Sequence, residues 1–110
     1  MNRDDLLELC AGKPEAAEKY PFGDAVAVFK VADRTFALIT LAGDPGTVTL
    51  KCEPGLAQEL RARFAAVQPG YHMNKRHWNT AALDGSVDNE ELLEMVEDSY
   101  QLVARRRQRD

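Results

Sequence analysis

The chain has few of the residues that hold small secreted proteins together, and it lacks a long apolar run. Its 110 residues include two cysteines, Cys10 and Cys52, at a spacing that fits no disulfide framework. We interpret both as free thiols in a reducing compartment. The apolar run at 36–39 ends in Thr40, which makes it too short to span a bilayer, and no secretory signal segment follows the first residues. A single cytoplasmic domain is therefore expected.

Motifs for catalysis, cofactors and metals are also missing. The two serines, Ser86 and Ser99, fall in a predicted turn and a predicted helix, and no phosphate loop, dinucleotide fingerprint or paired-carboxylate motif occurs. His72 and His77 are five residues apart, an odd offset that sends strand side chains to opposite faces and argues against a shared metal ion. Cys52 precedes a predicted helix N-terminus, which would lower the pKa of its thiol, yet no general base is tied to it. We expect no cofactor, no metal, and a binding protein rather than an enzyme.

Charge is distributed unevenly along the chain. The net charge is -4, but residues 51–83 carry five cations and two acids, whereas residues 84–103 carry seven acids and no cation. Residues 104–110 add four arginines, which either complement the dipole of a helix C-terminus or form an anion-binding arm. An acidic protein with one basic region can bind an anion locally, with an affinity that falls as salt rises.

Hydrophobic periodicity and capping residues predict three helices. The first begins after Asn2 and ends near Ala11, and the second begins at Pro54. The third begins after Asp88, where Glu91 completes a capping box. The residues predicted on the buried face of the third helix are Leu92, Leu93, Val96, Tyr100 and Val103.

Strands are predicted between these helices. Apolar or alternating runs indicate strands at 26–31, 35–41, 47–51 and 76–83, with an irregular segment or edge strand at 15–22. Residues 32–34 are a predicted hairpin loop, and Pro69-Gly70 breaks the chain. This order predicts an α+β domain, an antiparallel sheet of four to five strands with three helices packed mainly on one face. The domain is expected to span residues 1–104, followed by a basic C-terminal tail at 105–110.

The most chemically varied stretch is residues 69–80, which hold both histidines and the only tryptophan. Its cations Lys75 and Arg76 can contact phosphates. The side chains able to stack on bases or to hydrogen-bond to adenine are Tyr71, Asn74, His77, Trp78 and Asn79. The alternative is structural, with Trp78 in the core and polar neighbours that hold a wide loop. Strand alternation places Trp78, Thr80 and Ala82 on one side and His77, Asn79 and Ala81 on the other.

Several segments, taken in order, match a known family. They are Tyr-Pro-Phe-Gly at 20–23, Val-Phe-Lys at 28–30, Phe-Ala-Leu at 36–38, Leu-Lys-Cys-Glu-Pro at 50–54, Pro-Gly-Tyr-His-Met-Asn-Lys-Arg-His-Trp-Asn at 69–79 and Ser-Tyr-Gln-Leu-Val at 99–103. Over nearly its whole length the chain resembles the MmcQ/YjbR family of small bacterial proteins. The resemblance implies a CyaY-like or secretion-chaperone-like α+β fold and a DNA-binding protein with a proposed double-wing motif. The family has no established catalytic residues, so the resemblance carries none over.

Three interpretations of the function stay open. The first is a non-enzymatic protein that binds DNA or another nucleic acid. Its candidate residues, which include the family's characteristic positions, are Lys51, His72, Asn74, Lys75, Arg76, His77 and Asn79, with Tyr71 and Trp78 as stacking or scaffold residues. The second is a protein-interaction or chaperone-like module that uses an uncovered sheet face and the acidic last helix. The third is a small-anion-binding protein whose pocket residues would be Lys51, His72, Lys75 and His77. A membrane partner is not expected.

Overall fold

Helices and strands alternate along the chain and build one sheet. In the computed structural model, which describes residues 1–70 and 73–108, the helices are α1 (Arg3–Ala11), α2 (Pro54–Arg63) and α3 (Asn89–Gln108). The strands are β1 (Ala17–Lys19), β2 (Val26–Val31), β3 (Arg34–Thr40), β4 (Thr47–Lys51), β5 (Val67–Pro69) and β6 (Trp78–Ala82). Each strand is antiparallel to its neighbours in the order β1-β2-β3-β4-β6-β5. The predicted α+β class is therefore confirmed.

The sheet has six strands rather than the four to five predicted. The strand that the sequence did not indicate is β5, which has three residues, ends in Pro69 and pairs with β6 at the edge of the sheet. Its brevity and its proline suggested a break in the chain. A proline is tolerated on an edge strand because no further strand needs its missing N–H. At the other edge, β1 confirms the edge strand expected within residues 15–22.

The ends of the elements follow local sequence signals. The Asn2 side chain accepts a hydrogen bond from the Asp5 N–H at 2.8 Å, and the Asp5 carboxylate accepts one from the Asn2 N–H at 3.1 Å, which confirms the predicted cap of α1. The turn between β2 and β3 contains only Ala32 and Asp33, with φ of 50° and 67°. Two positive φ angles are the signature of the type I′ turn, whose twist fits a hairpin. Arg34, predicted in this loop, already lies in β3.

A bulge near the start of β3 is held by a buried hydroxyl. The register between β2 and β3 shifts by one residue, so that Phe36 has no partner on β2, and both Phe36 and Ala37 are fully buried. Ser99 of α3 is completely buried beside the bulge. Its Oγ donates to the Phe36 carbonyl at 2.6 Å and accepts from the Lys51 N–H at 2.9 Å. The hydroxyl thus joins β3 to the end of β4 beyond the point where their ladder stops.

One face of the sheet carries the core. Its buried strand residues include Ala27, Phe29, Ala37, Ile39, Val48, Leu50, Asn79 and Ala81. The helices cover this face with Leu6 and Cys10 of α1, Ala57 and Leu60 of α2, and Leu92, Met95, Val96, Tyr100 and Val103 of α3. Leu93, predicted on the buried face of α3, is instead 41% exposed. The buried positions follow Leu92 at intervals of three and four residues, so Met95 and Ser99 fill them and Leu93 points outward.

The last helix runs further than the predicted domain. Its backbone continues to Gln108, so residues 105–108, predicted to begin a tail, extend α3. Residues 71–72 and 109–110 lie outside the described part of the chain, as do the side chains beyond Ala104. Among the described residues, no helix combines the length and the apolar character needed to cross a membrane.

Candidate nucleic-acid interface

In the described part of the chain, no helix covers the face of the sheet turned away from α1, α2 and α3, although Val28 on this face is only 3% exposed. The strand register aligns Val28, Leu38, Thr49 and Thr80 in one row across it, with the Thr49 and Thr80 hydroxyls 2.8 Å apart. We call this side the open face. Its strand residues are Ala17, Lys19, Val26, Val28, Lys30, Thr35, Leu38, Thr40, Thr47, Thr49, Lys51, Gln68, Trp78, Thr80 and Ala82. No Asp or Glu is among them, so the charged residues of these open-face positions are lysines, and their polar residues are mainly threonines.

Four cations lie at one end of the sheet, two of them on the open face and two in the loop before β6. Lys30 and Lys51 lie where β2 and β4 finish, and Lys75 and Arg76 lie just before β6 begins. Because neighbouring strands are antiparallel, all these positions fall at the same end of the sheet. We call this group the basic end. Lys30 and Lys51 are two strands apart, so their backbones are separated by about 10 Å.

Acidic side chains are concentrated elsewhere. The loops at the opposite end of the sheet contain Asp24, Asp44, Asp84 and Asp88, and α3 carries Glu90, Glu91, Glu94, Glu97 and Asp98. Two cations of the helical layer are paired with these acids, Lys13 with Glu97 and Arg63 with Glu91. Asp33 in the hairpin turn and Glu53 before α2 are nearer to the basic end. The molecule is therefore acidic on the described side chains of α3 and on the far loops, and positive at the basic end.

The segment between β5 and β6 is closed at its base by a glycine and a tryptophan. The Gly70 N–H donates to the Trp78 carbonyl at 2.8 Å, and a Cβ added to Gly70 would lie 2.8 Å from the Cβ of Trp78. Such an approach leaves room only for glycine. Trp78 pairs with Lys51 across β4 and β6 and is half-buried on the open face. It therefore lies outside the core that the helices cover.

Backbone contacts fix the loop that carries Lys75 and Arg76. The Asn74 side-chain oxygen accepts from the Arg76 N–H at 2.9 Å, and the Asn74 carbonyl accepts from the His77 N–H at 3.1 Å. Arg61 of α2 donates to the Lys75 carbonyl at 2.9 Å. Asn74 thus shapes the turn, in the manner usual for asparagine. The side chains of Lys75 and Arg76 are exposed beside it.

Asn79 lies apart from the other predicted contacts. It is 1% exposed and faces the helices, because it pairs with buried Leu50 while its neighbour Trp78 pairs with Lys51. Its Nδ2 donates to the Ala57 carbonyl of α2 at 3.2 Å, whereas its Oδ1 is buried without a partner. The predicted surface contact by Asn79 therefore does not fit this structure. The alternation of side chains along the predicted strand already placed Asn79 and Trp78 on opposite faces of the sheet.

The structure brings together part of the predicted set and adds to it. Lys51, Lys75, Arg76 and Trp78 lie at the basic end, His77 is half-buried immediately before β6, and Asn74 is exposed in the loop. Tyr71 and His72 lie outside the described residues. Lys30 and the loop-anchoring Arg61 were missed, because only the pairing of distant strands brings them to this place. The sequence feature that could have indicated Lys30 is its position as a cation within the predicted strand 26–31.

The cysteines do not supply a reactive group at this site. Both are free thiols, as predicted, and both are buried. Burial raises the pKa of the Cys52 thiol to about 11, and the negative charges of Asp98 and Glu53 raise it further. These effects outweigh the helix N-terminus, which was expected to lower the pKa of this thiol. Burial likewise raises the pKa of Cys10 to about 12. Within the described ranges, no three His, Cys, Asp or Glu side chains are grouped to hold a metal ion.

Fold and site define a small α+β protein with a helical layer on one side of an antiparallel sheet and an open face with a basic end on the other. A family model described as YjbR matches residues 11–102. The chain belongs to the YjbR family, as the resemblance implied.

Relatives and solved structures agree with this assignment. The "Uncharacterized protein YjbR" of Escherichia coli (strain K12) is 36% identical over 101 residues, which cover 92% of this chain and 86% of that protein. The crystal structure of Deinococcus radiodurans protein DR2400, with a DUF419 domain, matches with a TM-score of 0.88 and 41% identity, over 94% of this chain and 78% of that one. A crystal structure from Pseudomonas syringae matches with a TM-score of 0.80 and 31% identity, over 94% and 99%. The implied CyaY-like or secretion-chaperone-like relationship stays a prediction.

Proposed function

We propose that the protein binds nucleic acid, with the phosphate backbone held at the basic end of the open face. The observation that carries the proposal is the segregation of charge. Lys30, Lys51, Lys75 and Arg76 lie at the same end of the sheet, and the open-face positions of its strands include no Asp or Glu, although the protein as a whole carries a charge of -4. A polyanion is attracted to this end and repelled from α3, so the charge pattern orients it as well as binding it.

The open face offers more than charge. Threonine hydroxyls donate hydrogen bonds to phosphate oxygens. The paired residues Thr49 and Thr80 are adjacent on the open face to the pair formed by Lys51 and Trp78. The indole ring of Trp78 is half-buried there and can pack against a sugar or a base. No catalytic step is needed for this role, in keeping with the neutral, buried thiols.

Electrostatic binding of this kind has a measurable salt dependence. Four phosphate contacts on a duplex give a slope of roughly -3 to -4 in a plot of log K against log salt concentration. The dissociation constant at physiological salt is expected in the range of non-specific binding, about 1–100 µM.

The experiment is fluorescence anisotropy with labelled oligonucleotides, single-stranded and double-stranded, at several salt concentrations. Lys75→Gln with Arg76→Gln should weaken binding and lower the salt slope by about 2. The matched control is Arg63→Gln, which removes a cation from α2 on the helical side. An equal loss of binding in the control, or no binding to either oligonucleotide at about 100 µM protein, would refute the proposal.

Inorganic phosphate separates this function from small-anion binding. A polyanion contacts several cations at once, so roughly equimolar phosphate should not displace the oligonucleotide. If phosphate displaces it at equal concentration, the site is a single-anion pocket and the nucleic-acid proposal fails.

A further inference from the structure

A small cavity lies on the other side of the sheet, between α2, α3 and the end of β4. Its volume is about 10 Å³, and its walls are largely apolar side chains such as Leu56 and Met95. Two oxygen-bearing side chains, Asn79 and Asp98, also line it. The Asn79 Oδ1 is buried and has no hydrogen-bond partner, although its Nδ2 is satisfied by α2. A buried acceptor without a donor costs about 1–3 kcal/mol, so the cavity favours an occupant that supplies one.

The cavity continues into a wider groove at the surface. Cys52, Leu56 and Asp98 line both spaces, and the groove has a volume of about 270 Å³. Glu53 and Leu102 complete its walls along with Gln101. A ligand can therefore enter between α2 and α3 with an extended stem in the groove and its tip in the cavity.

The charge of these walls favours a cation. Asp98 forms no ion pair with any described residue, and Glu53 faces the same groove. Among the residues that the structure describes, one cation belongs to the cavity lining, Lys51, whose side chain follows the alternation of β4 to the open face. The N-terminus of α2 borders the groove and opposes a cation, but its dipole amounts to about half a charge, which two carboxylates outweigh.

We infer that this cavity and groove bind a primary ammonium group on a short, unbranched alkyl stem. An ammonium head is about the size of a water molecule, which is what a cavity of about 10 Å³ accommodates. It has three donors, and Asn79 Oδ1 and the Asp98 carboxylate are two acceptors in the cavity lining. The stem packs on Leu56 and Leu102, and the flexible side chain of Met95 lets the cavity widen around the head.

The same chemistry occurs in a free alkylamine and in a lysine side chain of a partner protein. The test is a titration of the full chain, labelled with ¹⁵N and with ¹³C at the methionine methyls, with n-butylammonium chloride and separately with Nα-acetyl-lysine methylamide. Saturable shifts of the Asn79 side-chain amide and of the Met95 methyl are expected with at least one of them. If the lysine derivative binds more tightly, the ammonium group comes from a lysine side chain of a partner protein. If butylammonium binds more tightly, the ligand is a free alkylamine.

Charge and shape controls decide whether the inference holds. Asp98→Asn should weaken butylammonium binding about tenfold, since it removes the charged acceptor and keeps the shape. Glu94→Gln, on the same helix but outside both linings, should leave it unchanged. Asn79→Leu should abolish occupation of the cavity by the ammonium group, seen as loss of the Met95 methyl shift. The inference would be overturned if n-butyrate bound as tightly as butylammonium, or if Glu94→Gln weakened butylammonium binding as much as Asp98→Asn. The absence of a saturable shift with either amine would overturn it too. Since the open face lies on the other side of the sheet, oligonucleotide binding is an independent readout in every variant.

Discussion

Replacing Ser99 with alanine should lower the free energy of unfolding by about 2–4 kcal/mol. The Ser99 hydroxyl donates to the Phe36 carbonyl at 2.6 Å and accepts from the Lys51 N–H at 2.9 Å, and Ser99 is fully buried. Alanine leaves both backbone groups without this partner, and an unsatisfied buried polar group costs about 1–3 kcal/mol. The sum is reduced because a water molecule in the vacated space would recover part of the loss.

Urea denaturation followed by circular dichroism measures this change. The midpoint should fall while the dependence of the free energy on urea stays constant, because the variant exposes the same surface on unfolding. The matched control is Ser86→Ala, whose hydroxyl bonds to Asp84 in an exposed loop and should matter by less than about 0.5 kcal/mol. If Ser99→Ala is as stable as this control, the hydroxyl does not hold the bulge of β3 to the end of β4.

Two further predictions concern Gly70 and Cys52. Gly70→Ala should destabilise the protein by about 1–3 kcal/mol in the same denaturation assay, because the added Cβ would lie 2.8 Å from the Cβ of Trp78. Gly55→Ala in α2 should instead stabilise the protein by about 0.5–1 kcal/mol, because no atom lies within 4 Å of the added Cβ and alanine favours the helix. Equal effects of the two substitutions would contradict the close approach. Alkylation of Cys52 by iodoacetamide near neutral pH should be about a hundredfold slower than in the unfolded chain, because its pKa of about 11 lies two units above the ordinary 9.0. The rate should rise steadily up to about pH 11, and a plateau near pH 9 would contradict the assigned burial.

Local signals in the sequence were enough for much of the fold. The cap at Asn2, the alternation through Val48 and Leu50, and Pro54 at the start of α2 each depend on neighbouring residues, and each prediction is confirmed. β5 was missed because three residues that end in Pro69 carry no periodicity of their own. It is a strand only because β6 offers its edge.

The candidate site was harder to predict because it depends on which distant residues meet. Lys30 joins the basic end through the order of β2, β3 and β4, which no local pattern states. Asn79 was grouped with its neighbours by residue type, although alternation turns it into the core opposite Trp78. The role of Ser99 required the bulge at Phe36 to be known first. The sequence thus placed most candidate residues in one segment, and tertiary pairing decided which of its side chains share a surface.

The most direct test of the nucleic-acid proposal is a map of the bound surface by ¹H–¹⁵N correlation spectra of the protein with a short oligonucleotide. The largest shifts should fall on Lys30, Lys51, Arg76 and the Trp78 indole, and α3 from Glu90 to Asp98 should be unaffected. Shifts centred on α3, or spread evenly over both faces of the sheet, would contradict it.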